Sequence, residues 1–61
     1  MRIGDLVQLD MVGDDGSIAT CVAVVMSVDP NDDECEVMYH WDNKTQYTWV
    51  FLSYAEQRRV K

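Results

Sequence analysis

The sequence predicts an all-β protein: a small five-stranded barrel with a 3₁₀ turn before its last strand. Three observations carry this reading. Apolar and polar residues alternate with a period of two through several short segments. No window holds a 3.6-residue period for three turns, so helix signals are almost absent. Between the segments lie clusters of Gly, Asp, Asn and Pro, the residues of tight turns. At 61 residues the chain makes one domain, residues 1–61, and its 48% hydrophobic content suffices for one compact core.

The elements follow in order. "MRIGDLVQLD" sets Val7 and Leu9 against Gln8 and Asp10, with Ile3 ahead of a Gly4–Asp5 bend. This is a first strand kinked near its start. "MVGDDGS" has the composition of a loop that needs positive φ. In "IATCVAVVMSV", Val22, Val24, Met26 and Val28 share one face, and Cys21, Ala23 and Val25 the other. Apolar on both sides, it reads as a central strand. "DPNDDE" follows, with Pro30 fixing φ early in a hairpin turn. "CEVMYHW" alternates again, "DNKT" turns, and "QYTWVF" sets Tyr47, Trp49 and Phe51 against Gln46, Thr48 and Val50. A hairpin turning at Asp42 to Thr45 sets Trp41 opposite Gln46 and Tyr39 opposite Thr48. "LSYAEQ" loses the period of two and fits a single 3₁₀ turn. "RRVK" supplies a short closing strand, and closure removes exposed sheet edges.

"IGDLVQL", "VVMSVDPNDDECEVMYHWDN" and "TWVFLSYAEQRRV" together resemble the SH3-like barrels of the KOW/Tudor-like kind. They are particularly similar to the short stand-alone versions encoded by tailed bacteriophages and their marine relatives. The resemblance spans roughly Ile3 to Val60 and is carried by the order of the pieces. It implies an SH3-like barrel and, for a phage-encoded chain, a place in the host cytoplasm. The fold hosts RNA-, DNA- and peptide-binding as well as structural roles, so it implies no single function. A KOW motif also carries basic residues and a glycine after the first loop. Here Gly16 is followed by Ser17, and no basic residue precedes the second strand.

Composition narrows the function classes. Eleven acids against five bases give a net charge of −6, and the bases are scattered or C-terminal. Binding nucleic acid through phosphates needs Lys and Arg to displace counterions, so that class is disfavoured. An acidic surface suits solubility, a basic partner or repulsion of phosphate. The longest apolar run, Cys21 to Met26, is far below the roughly 20 residues of a membrane span, and no signal peptide is seen. We expect a cytoplasmic protein. Cys21 and Cys35 form no CxxC and read as reduced, buried cysteines.

Site candidates are few. Asp29, Asn31 and Asp33 have the 1, 3, 5 spacing of a calcium loop, but Glu34 stands where glycine is required and His40 where a bidentate Glu is. The acidic loop Asp29, Asp32, Asp33 and Glu34 therefore reads as a hairpin, and no metal or cofactor is expected. His40 is the only histidine and lies on a solvent-side parity, with no patterned nucleophile to serve. An enzyme is not expected. All six aromatics fall between Tyr39 and Tyr54. A small barrel overfills beyond three or four large rings, so Val37, Tyr39 and Trp49 are expected inside. Trp41, Tyr47 and Tyr54 are left as a partly exposed partner-binding surface.

The expected function is a non-enzymatic interaction module binding a protein or peptide partner of basic character. Self-association is a second expectation, because short unstapled chains gain stability that way. Two other readings remain: an acidic inhibitor mimicking nucleic-acid charge, and a KOW-like RNA or ribosome contact, against which the charge argues.

Overall fold

The computed structural model describes residues 1–60. Four strands, β1 (Leu6–Val12), β2 (Ile18–Asp29), β3 (Glu34–Trp41) and β4 (Lys44–Phe51), are followed by one short helix, α1 (Leu52–Gln57). The strands form a single antiparallel sheet in the order β1-β2-β3-β4, so each strand pairs with the next.

The turns explain the order. Arg2 to Asp5 bend at Gly4, whose φ of 95° avoids the penalty a Cβ would impose; Arg2 N–H donates to Asp5 Oδ2 at 2.9 Å. The β1–β2 loop closes through Gly13 N–H to Ser17 O at 2.8 Å. A Cβ on Gly13 would meet Ser17 Oγ at 2.9 Å and Asp15 Oδ1 at 3.1 Å, so a larger residue there would have to displace those two side chains. Between β2 and β3, Asp29 Oδ1 accepts from the N–H groups of Asn31 and Asp32 at 3.2 and 3.3 Å, and Asp33 completes the turn at φ 56°. This Asx arrangement is the hairpin expected from "DPNDDE". Between β3 and β4, Asp42 and Asn43 lie at φ 56° and 59°. Two consecutive positive values are those of a type I′ two-residue turn, whose twist matches the flanking strands.

One face of the sheet is buried. Val7 and Leu9 of β1, Ala23 and Val25 of β2, Cys35 and Val37 of β3, and Ala55 of α1 form the core. Met1, Met11, Cys21, Val28, Tyr39, Val50 and Leu52 pack around it. Each fully buried valine contributes roughly 1.5–3 kcal/mol relative to an exposed one. A bulge between Val25 and Ser27 inserts Met26 against β3. The extra residue inverts the parity of β2, so Val28 faces the core opposite Cys35.

The structure corrects several expectations. The sheet is not a closed barrel of five strands. The segment expected to be the fifth contributes one bridge, Val7 to Arg59, flanked by Gln8 N–H to Arg58 O at 2.9 Å and Val60 N–H to Leu6 O at 2.8 Å. Lys61, the last residue of that expected strand, lies outside the described residues. "LSYAEQ" is an α-helix rather than a 3₁₀ turn. It seats Leu52 and Ala55 on the core, and that burial outweighs the weak local pattern. Trp41 pairs with Lys44 and Tyr39 with Gln46, two residues from the expected register, because the turn takes two residues instead of four. A shift of two preserves the faces. Val28 does not share a face with Val22 and Val24, because of the bulge. Trp49 is outside rather than inside: it pairs with Glu36, on the face opposite Val37.

Candidate functional site

Strand parity divides the aromatics between two environments. Tyr39 and Trp41 share the inner parity of Cys35 and Val37, and both are half-buried. Tyr39 Oη donates to Gln46 Oε1 at 3.4 Å, and Gln46 Nε2 donates to the Trp41 carbonyl at 3.2 Å. Gln46 thereby ties both aromatic residues to the tip of the β3–β4 hairpin. Trp41 lines an open depression with Val12, Gly13, Asp14 and Asp42, where the β1–β2 loop meets that hairpin.

Tyr47, Trp49 and Phe51 point the other way, at 58%, 48% and 64% exposure. They are alternate residues of β4 on the outer face, opposite Met38, Glu36 and Glu34 respectively. The apolar surface continues across the sheet. Tyr47, Met38, Val24 and Leu6 form one cross-strand row through all four strands. Val22 and Met26 are exposed beside it. The result is a contiguous apolar face with three rings along one side and Glu34 and Glu36 next to the rings. Monomeric proteins rarely leave so continuous a patch in water without a use for it.

The three residues expected to form one surface are therefore not brought together. Trp41 and Tyr47 lie on opposite faces, and Tyr54 sits on α1. The Tyr54 ring lies under the Arg58 guanidinium, 5.9 Å from the centroid. Arg58 in turn binds Asp10 through Nη2 and donates from Nε to the Gln8 carbonyl at 3.3 Å. Tyr54 and Arg58 thus pin the end of the helix to β1. Trp49 and Phe51 were not expected in the site, although the signal was present. "QYTWVF" set the three rings on one parity, and the Asp42–Asn43 turn ties that parity to Glu36 and Met38 rather than to Val37.

Seven of the eleven carboxylates lie at the two ends of the sheet. Asp14, Asp15 and Asp42 lie at the end holding the β1–β2 loop and the β3–β4 turn; Asp29, Asp32, Asp33 and Glu34 lie at the other. Several are engaged locally. Asp29 holds its own turn. The Asp15 carboxyl sits below the usual carboxylate range because the Ser17 side chain and backbone N–H both bond it. Among the described residues, no three His, Cys, Asp or Glu side chains are grouped as a metal ion requires. Cys21 and Cys35 are free, and burial raises both thiols above their ordinary value. No described helix is long and apolar enough to cross a membrane.

No protein-family model, curated protein or solved structure matches the chain.

Proposed function

We propose that the protein is a small, non-enzymatic interaction module that binds a basic protein or peptide segment across the outer face of its sheet. The contact is built on Tyr47, Trp49 and Phe51 with Glu34 and Glu36 beside them. The observation that carries this reading is the cross-strand register. It sets two carboxylates directly opposite two exposed rings, Glu36 with Trp49 and Glu34 with Phe51. Apolar side chains of a bound segment would cover the aliphatic row. Its lysines or arginines would lie over the rings and meet the carboxylates, combining cation–π attraction with charge pairing. The net charge of −6 adds steering toward such a partner.

The resemblance to SH3-like modules is compatible with peptide binding, one of several roles that fold hosts. A phage-type relative acting in a host cytoplasm is the setting we propose. Mimicry of nucleic-acid charge is less well supported, because it calls for one continuous acidic face and the acids here lie at both ends. An RNA contact is opposed by the exposed rings having carboxylates, not Lys or Arg, as neighbours.

Selection from a random-peptide display library against the dilute protein tests the proposal. Enriched peptides are expected to alternate apolar and basic residues and to lose binding to a folded Trp49→Thr variant. Failure to enrich any peptide would overturn it. So would peptides that bind Trp49→Thr equally well.

A further inference from the structure

The two edges of the sheet are treated differently. On β1, the outward backbone groups of Leu6 and Gln8 are taken by Val60 and Arg58. Further along, the Arg58–Asp10 ion pair sets charge at the same edge. This edge is paired and blunted, as sheet proteins commonly arrange. On β4 nothing of the kind is present. No described strand pairs with its far side. Among the described residues, no backbone hydrogen bond involves residues 44–51 outside the ladder and the cap of α1, where the Phe51 carbonyl accepts the first helical N–H.

Ladder geometry identifies which groups that edge offers. Trp41 and Lys44 flank the two-residue turn, so they form a hydrogen-bonded pair, as do Tyr39 with Gln46 and Val37 with Thr48. Alternate residues of β4 therefore direct their N–H and C=O away from β3. Those residues are Thr45, Tyr47, Trp49 and Phe51, of which the last three carry the rings. The strand has no proline, no carboxylate and a single charge, Lys44, at its start.

We infer that the free edge of β4 pairs with β4 of a second copy of this chain, antiparallel about a two-fold axis, joining the two sheets. A registered strand pair must match outward-facing residues with one another, and here they are aromatic at three positions of four. With Trp49 opposite Trp49 of the second copy, Tyr47 falls opposite Phe51, giving three cross-strand ring pairs on one face. At these exposures the three rings offer about 100 Å² each. With backbone and flanking side chains, each copy buries roughly 500 Å², near the lower limit of specific interfaces. The dimer is thus expected to associate at about micromolar strength. Pairing covers ring surface that a bound peptide would also use, so dimer and peptide complex compete; the peptide-binding proposal is therefore tested on the dilute, monomeric chain.

Sedimentation across a range of concentrations, with amide exchange followed by NMR at the two extremes, tests the pairing. The mass is expected to double as concentration rises. The amides of Tyr47, Trp49 and Phe51 are expected to slow by about tenfold or more, while those of Gln46 and Thr48 are protected throughout. Tyr47→Pro removes one outward N–H at an edge position that tolerates proline, and is expected to weaken the dimer about tenfold or more. Should that variant unfold, exchange in the unaltered chain decides. A chain that stays monomeric at millimolar concentration overturns the inference. So does a dimer in which the Tyr47, Trp49 and Phe51 amides still exchange fast, because it must join by another surface.

Discussion

The two faces of this sheet divide the apolar residues in an unexpected way. The inner face fully buries only small ones, Val7, Ala23, Val25, Cys35 and Val37, while its two rings, Tyr39 and Trp41, are half-buried at its rim. The outer face holds the large ones, with Tyr47, Trp49 and Phe51 on β4 and Met38, Val24 and Leu6 in line across the sheet. A four-stranded sheet covered by a six-residue helix encloses too little space for rings. Its core is closed with valine, leucine, cysteine and alanine, and the β4 rings remain at the surface. Burial alone does not explain why a chain keeps its bulkiest residues in water, whereas binding does. The inner face holds the fold together; on the function proposed above, the outer face is where a partner gains contact area.

Substitutions can break this division or sharpen it. The largest effect is expected from Val25→Asp, which places a carboxylate in the core beside Val37. A buried unpaired charge costs about 3–5 kcal/mol. A domain of this length holds roughly 3–9 kcal/mol in total. The variant is expected to lose its dispersed NMR spectrum and its cooperative melt. A folded Val25→Asp would mean that the inner face is not the core.

The cysteines measure burial within that face. Cys35 is fully buried and Cys21 half-buried, so Ellman's reagent is expected to label Cys21 first in the native protein. Equal rates would place the two thiols in similar surroundings. Burial raises both thiols above the ordinary value near 9.0. For a group whose folded value is raised, the stabilisation is complete below the unfolded value and is lost as pH rises through the folded one. Stability is therefore expected to fall on the alkaline side of about pH 9, and less steeply in Cys35→Ala. An identical alkaline slope in that variant would show that Cys35 does not contribute.

A smaller effect, of opposite sign, is expected at the turn. Asn43 holds φ 59°, which glycine adopts without strain. Asn43→Gly is expected to raise stability by a few tenths of a kcal/mol, since Asp-Gly is a favoured type I′ pair. A loss in urea unfolding would argue against that turn.

Much of the fold was legible because strand and turn signals are local. The alternation located four strands, and "DPNDDE" read as the hairpin it is. Three features were not legible, for physical reasons. The α1 helix depends on Leu52 and Ala55 finding the core, which a six-residue window cannot reveal. The bulge at Met26 is a registration between β2 and β3 and leaves no mark in either strand. The last strand shrinks to one bridge because pairing with β1 is long-range. For the site, the sequence indicated that some rings must be exposed. It misassigned Trp49 because residue type was weighed above strand parity. An alternating strand reads the same with either face inward, and here the valine-lined face won.

Urea unfolding of the dilute protein, with Trp49→Thr measured beside Val37→Ala, tests the division of faces most directly. Threonine keeps strand propensity while removing the ring. The expected result is a loss of about 2 kcal/mol for Val37→Ala, from two buried methyl groups and the cavity they leave. For Trp49→Thr the expected loss is below about 1 kcal/mol, with cooperativity intact. A Trp49→Thr loss equal to or greater than that of Val37→Ala would contradict the division, because Trp49 would then be holding the fold together rather than waiting for a partner.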